Sequence, residues 1–171
     1  MTSPVHSRAT AIDRRRLLGL AALGAAAAAA AVAAPSLARA ATGAQPLVEV
    51  WKDPNCGCCG DWVKHLEAEG FRVKVHDTGN TAIRTRLGVA QKYGSCHTGL
   101  VGGYAIEGHV PAREIRRLLR EKPDAIGLAV PGMPVGSPGM EVEGTRRDAF
   151  DVVLFDDAGG RKVWQRYAAR S

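Results

Sequence analysis

Apolar and polar positions recur with recognisable periods along most of the chain. Leu47 to Trp51 is a short β-rich run that stops at Lys52-Asp53-Pro54-Asn55, a cluster of turn formers. From Gly60 the period changes, with Trp62, Val63 and Leu66 at helical spacing, Asp61 in the first turn and Gly70 as a stop. Phe71, Val73 and Val75 then alternate with Arg72, Lys74 and His76, which predicts a strand with one apolar face. Thr78-Gly79-Asn80 supplies a turn and cap for a helix through Ile83 and Leu87, continuing irregularly towards Tyr93. Two short strands, Ser95 to Val101 and Tyr104 to Ile106, are expected on either side of Gly102-Gly103. Pro111 opens another helix, with Ile115, Leu118 and Leu119 on one face and Lys122-Pro123 at its end.

The pattern breaks between Pro123 and Gly144, where four prolines and five glycines fall within 22 residues. This stretch predicts a long loop without a regular element, and such loops in compact domains are usually functional. Beyond it, Phe150 to Phe155 and Arg161 to Tyr167 flank Asp156-Asp157-Ala158-Gly159-Gly160 and read as a β-hairpin. No internal repeat is visible. The order strand, helix, strand, helix, two strands, helix predicts a three-layer α/β domain. A first strand entering a cysteine motif at a helix start is the arrangement of thioredoxin-like folds. The expected fold is therefore a thioredoxin-like three-layer domain with an added C-terminal β-hairpin and a long Pro/Gly-rich loop.

Residues 1–40 stand apart from this pattern. Arg14-Arg15-Arg16-Leu17-Leu18 precedes an Ala-rich apolar run to Ala34, and Ala38-Arg39-Ala40 has the small-x-small form of a signal-peptidase site. The paired arginines favour the twin-arginine export route. The alternative is an uncleaved anchor, because the run from Leu17 to Ala34 is long enough to span a bilayer. Alanine is only weakly apolar and the cleavage signal is well formed, so cleavage after Ala40 and a periplasmic domain spanning residues 41–171, with no stable membrane insertion, are expected.

Removal of the leader changes the charge. The whole chain carries 23 basic and 17 acidic residues, whereas residues 41–171 hold 18 and 16, a net +2. No basic stripe with interleaved aromatics is left, which argues against a nucleic-acid partner. No Ser/His/Asp constellation, phosphate-cradling glycine loop or spaced carboxylate pair stands out either, so hydrolase and nucleotide chemistry have no support.

The chemistry concentrates in the cysteines. Asn55-Cys56-Gly57-Cys58-Cys59-Gly60 carries three of the four in the sequence, and Cys96 is the fourth. Thiolates at a helix start are stabilised by free N–H groups and the helix dipole, and they serve both disulfide exchange and soft metals. Two structural disulfides are the plain alternative in an oxidising compartment, but a domain of this size does not need them. An iron–sulfur centre fits none of the usual spacings. A dithiol exchanger would use the C-x-x-C pair, with Cys56 attacking and Cys59 resolving. A third thiol at Cys58 would offer wrong disulfides, however, and His97-Thr98 stands where such enzymes usually carry a cis-proline.

Metal binding accounts for more of the sequence. Cys96 lies where the thioredoxin-like reading brings it within reach of the motif, and His97 beside it is a candidate ligand or partner of a ligand. Met133 and Met140, the two methionines outside the leader, both fall in the Pro/Gly-rich loop without apolar periodicity. Thiolates and thioethers together select Cu(I). Zinc is the weaker fit, because adjacent Cys58 and Cys59 are expected to diverge and so to bridge several copper ions rather than share one tetrahedral ion. His65, His76 and His109 have no partner at ligand spacing and are expected at the surface.

Lys52-Asp53-Pro54-Asn55-Cys56-Gly57-Cys58-Cys59, Ser95-Cys96-His97-Thr98, Val130-Pro131-Gly132-Met133-Pro134 and Gly136-Ser137-Pro138-Gly139-Met140-Glu141, in this order, resemble the CopG-like family of exported proteins linked to copper resistance. The resemblance covers nearly all of residues 41–171. It implies a thioredoxin-like fold and a Cu(I) site at Cys56, Cys58, Cys59 and Cys96, with redox activity between copper and thiols. Met133 and Met140 match the family motif, and other periplasmic copper-handling proteins are the implied partners.

Overall fold

The computed structural model describes residues 45–171, so the export signal expected in residues 1–40 lies outside the described residues. Among the described residues no helix is long and apolar enough to cross a membrane. The elements run β1 (Leu47–Lys52), α1 (Gly57–Ala68), β2 (Arg72–His76), α2 (Thr81–Arg86), a short 3-10 turn (Gln91–Tyr93), β3 (His97–Val101), β4 (Tyr104–Glu107), α3 (Ala112–Glu121), β5 (Gly127–Ala129), β6 (Phe150–Phe155) and β7 (Arg161–Tyr167). All the strands join one sheet in the order β2-β1-β3-β4-β5-β6-β7. β1 runs parallel to β2 and antiparallel to β3, and β3 pairs antiparallel with β4. Gly102 and Gly103 make the β3–β4 turn, with φ of 56° and 87°. Two successive left-handed residues are what a two-residue hairpin turn requires.

Alternation along the strands sends side chains to opposite faces of the sheet, and each face has its own cover. Val48, Val50, Ile106, Leu128 and Val152 pack with Trp62 and Leu66 of α1 and with Ile115 and Leu118 of α3. On the other face Ala105, Ala129, Val153 and Phe155 meet Val89 and Tyr93. The apolar spacing that predicts α1 and α3 is thus the stripe that each helix buries. Burying one such Leu or Ile side chain contributes about 1.5–3 kcal/mol.

Two expectations need correction. The stretch from Pro123 to Gly144 contains a regular element after all, the three-residue strand β5, which pairs parallel with β4 and antiparallel with β6. Its first residue explains why glycine content misleads here. A Cβ on Gly127 would stand 1.8 Å from the carbonyl oxygen of Ala105, so the glycine lets two backbones approach rather than breaking a strand. The C-terminal hairpin is consequently an extension of the main sheet and not an appendage. The second correction is that α1 begins at Gly57, not Gly60, so that Cys58 and Cys59 lie within its first turn and Cys56 is its N-cap.

Candidate metal centre

The loop after β1 is a tight turn that aims the cysteines. Asp53 accepts the Asn55 N–H on its carboxylate at 2.8 Å and the Cys56 N–H on its carbonyl at 3.1 Å. The chain turns back on itself there and enters α1 with Cys56 in extended conformation. Cys96 arrives from across the sheet. β3 pairs antiparallel with β1, with His97 opposite Lys52, so the residue before β3 lies beside the turn that ends β1.

The sulfurs of Cys56, Cys58, Cys59 and Cys96 all lie within 4.8 Å of one another. Cys56 and Cys59 are joined by a disulfide, and Cys58 and Cys96 are free thiols. Cys58 Sγ is 3.6 Å from Cys56 Sγ and 3.9 Å from Cys96 Sγ, and so stands between the disulfide and the remote thiol. Cys59 is fully buried, and its sulfur is 3.6 Å from the Cys96 carbonyl oxygen. The expected divergence of Cys58 and Cys59 is not observed: both sulfurs belong to one cluster, because Cys59 points inward and Cys58 towards Cys96. The geometric argument against one shared tetrahedral ion therefore falls.

Two imidazoles meet the cluster at Cys96, with which they form a second group of potential ligands. Cys96 Sγ is 3.4 Å from His97 Nδ1 and 3.2 Å from His109 Nε2. His109, expected at the surface, is fully buried. Its Nδ1–H donates to the Pro138 carbonyl at 2.8 Å, which leaves the Nε2 lone pair facing Cys96. The signal for it was present in the sequence. A two-residue turn at Gly102-Gly103 pairs residues counted outward from it, Thr98 with Glu107 in the observed register, and two more steps bring Cys96 opposite His109. Of the other histidines, His65 accepts the Ala112 N–H at 3.1 Å and His76 stacks on Trp51 and meets Glu49 at 2.9 Å. Both are partly exposed.

Electrostatics keep these donors uncharged. Burial, with a smaller contribution from the neighbouring His109, lowers the pKa of His97 to about 3. Burial also lowers that of His109, against the pull of the Pro138 carbonyl and Glu141. Both imidazoles are neutral at neutral pH, the form in which nitrogen binds metals. Burial, followed by the electrostatic coupling to Cys58, pushes the Cys96 thiol up to about 12. The helix-start argument for lowered thiol pKa values thus does not extend to Cys96. His97 is enclosed by Trp62 at 4.3 Å and His109 at 4.9 Å between ring centroids, and its Nε2 has no hydrogen-bond partner.

The Pro/Gly-rich loop closes over this cluster from two sides. The Gly132 carbonyl accepts from Ser95 Oγ at 2.5 Å, next to Cys96. Further on, Gly139 rests on the start of α1, where a Cβ would stand 2.6 Å from the Trp62 nitrogen and 2.8 Å from the Cys58 carbonyl oxygen. Its φ of 82° also favours glycine. Met140 is partly buried in a turn closed by its N–H to the Ser137 carbonyl at 2.8 Å, whereas Met133 is 52% exposed.

A family model described as a protein of unknown function, DUF411, matches residues 93–140, which span Cys96, His97, His109 and both loop methionines. No curated protein matches. Among solved structures, one described as copper resistance protein CopG, form 2, shares 50% sequence identity at a TM-score of 0.68, covering 72% of this chain and 98% of its own. A second, form 1 of copper resistance protein CopG, has the same identity and TM-score and covers 72% of this chain and 99% of its own. The chain belongs to the CopG-like copper-resistance family. Membership at this identity extends over most of the described domain, so the family likeness is not confined to the cysteine motif.

Proposed function

We propose that this is a periplasmic copper protein that binds Cu(I) through Cys56, Cys58, Cys59 and Cys96 in a thiolate-bridged, multinuclear site serving copper resistance. The observation that carries the reading is the position of Cys58, 3.6 Å from one sulfur and 3.9 Å from another, on the side of the disulfide that faces Cys96. Four cysteine sulfurs gathered within 4.8 Å, once the disulfide is reduced and the thiols give up their protons to the metal, suit a soft ion, and bridging sulfurs allow more than one. The likeness to proteins named for copper resistance supports copper over zinc. Neutral His97 and His109 add nitrogen donors, and the loop carrying Met133 and Met140 acts as a lid. The order and directions of β1 to β4 support a thioredoxin-like frame.

The disulfide adds a redox capacity. The Cys56/Cys59 dithiol gives two electrons to two Cu(II) ions, yielding two Cu(I), one S–S bond and two protons. Reopening the disulfide takes two electrons and two protons from a thiol donor. Anaerobic titration of the reduced and the disulfide-closed chain against a colorimetric Cu(I) chelator tests this. The reduced chain is expected to hold more Cu(I), and equal stoichiometry in the two states would remove the four-thiolate site.

A second reading, a thiol-disulfide oxidoreductase, is favoured by the same bond. Cys56 is the partly exposed member of the pair and Cys59 the buried one, which matches an attacking and a resolving thiol. Insulin reduction by the metal-free chain, lost in Cys56→Ser, would support it. Copper binding without such activity would favour the first reading.

A further inference from the structure

Glu107, the last residue of β4, is fully buried. Every contact of its carboxylate leads to the segment that presents Cys96 and His97. One oxygen, Oε1, accepts the Ser95 N–H at 2.7 Å and the Arg84 Nε at 2.9 Å, and Arg84 Nη2 lies 2.8 Å from it. The other, Oε2, accepts the Thr98 hydroxyl at 2.6 Å. Arg84 then reaches past the carboxylate and donates from Nη2 to the Ser95 carbonyl. Ser95 is thus fixed at both its N–H and its C=O, and Thr98 at its side chain, which brackets Cys96 and His97 from both ends.

A buried carboxylate and guanidinium are costly to place inside a protein, and removing one partner leaves an uncompensated charge. We infer that Glu107 and Arg84 are positioning residues that hold Cys96 at the distance at which its sulfur meets Cys58 and His109. The pair touches none of the cluster sulfurs in the hydrogen-bond network. It acts through the backbone at Ser95 and through Thr98. Hydrogen-bonded residues behind a metal-binding side chain commonly set its affinity by roughly ten- to a hundredfold.

This inference rests on the copper reading above, and the test separates the two. Cu(I) affinity is measured by chelator competition for wild type, Cys96→Ser, Glu107→Gln and Cys96→Ser/Glu107→Gln, at a temperature where circular dichroism shows each fully folded. In the metal-free proteins the alkylation rate of Cys96 is followed by mass spectrometry of its peptide. Glu107→Gln is expected to weaken Cu(I) binding roughly tenfold and to speed alkylation of Cys96 but not of Cys58. In the Cys96→Ser background it is expected to change the affinity no further, because the residue it positions is gone. A purely structural role would lower the melting temperature equally in both backgrounds and leave folded-state affinity and Cys96 reactivity at wild-type values, which would overturn the inference. Wild-type affinity in Cys96→Ser would instead remove Cys96 from the copper site, and with it the four-cysteine reading on which the inference rests. Should Glu107→Gln fail to fold, Thr98→Val deletes one bond to the carboxylate and Thr98→Ser keeps it. The first is then expected to weaken binding and the second to retain it, and equal affinities in the two would overturn the inference.

Discussion

His109 and Pro138 are joined by a 2.8 Å hydrogen bond from Nδ1–H to the backbone carbonyl. That one contact ties the loop over the cluster to the imidazole inside it. The loop therefore sets which nitrogen of His109 faces Cys96.

His109→Ala is accordingly expected to weaken Cu(I) binding roughly tenfold, within the range for residues around a metal site. His76→Ala serves as the control, since His76 is occupied with Trp51 and Glu49 on β1 and is expected to leave the affinity unchanged. Chelator competition on the two variants checks this, and equal affinities would place His109 outside the site.

The two methionines should separate. Met140 belongs to the hydrogen-bonded turn beside Gly139, which touches α1, whereas Met133 is 52% exposed. Met→Leu keeps size and apolarity and costs less than about 1.5 kcal/mol in a packed position, so it isolates the thioether. Met140→Leu is expected to speed copper release more than Met133→Leu does. Stopped-flow transfer to a chelator measures it, and identical rates in wild type, both single variants and the double variant would end the lid reading.

Acid should destabilise the fold through histidines whose folded pKa is depressed. His65 has its pKa lowered by burial and accepts the Ala112 N–H, which only the neutral ring can do. His97 is lowered further, to about 3. A base with a depressed folded pKa binds fewer protons folded than unfolded. Stability is therefore full above the unfolded histidine value of about 6.5 and falls as the pH drops below it. The melting temperature of the metal-free chain is expected to decline from pH 7 to pH 5, with a shallower decline in His65→Gln. Parallel profiles for the two proteins would assign the whole effect to other groups.

Two glycines should respond to alanine with opposite signs. Gly127→Ala drives a methyl into the Ala105 carbonyl in mid-sheet and is expected to cost about 3 kcal/mol, the upper range for overpacking. Gly57→Ala places a methyl where nothing lies within 4 Å, on the first turn of α1. It is expected to stabilise by up to about 1 kcal/mol, the helical advantage of alanine over glycine. Urea denaturation of both variants gives the comparison.

What the sequence disclosed tracks how local each signal is. The helices α1 and α3 were legible because Trp62 and Leu66, or Ile115 and Leu118, repeat at a period that a single helix reads. The hairpin of β6 and β7 was legible from its alternation and its glycine turn. Strand β5 was not, because three residues are too few to show a period and Gly127 carries the opposite signal in isolation. Within the cluster, Cys56, Cys58 and Cys59 announce themselves by adjacency. His109 does not, since its proximity to Cys96 follows only from the register of β3 on β4. The buried Glu107 and its partner Arg84 were illegible for a different reason: surface and interior ion pairs have the same composition, and only the fold distinguishes them.

Among the described residues the strand order also leaves β2 and β7 as the two rims of the sheet, each with one side that pairs with no other strand. Both rims carry basic side chains, Arg72 and Lys74 on one and Arg161, Lys162 and Arg166 on the other. Charged side chains along an edge strand are a common natural guard against strand-to-strand aggregation. For a chain with free thiols at Cys58 and Cys96 the consequence is that copies are kept from stacking at their edges, and their thiols from meeting by that route.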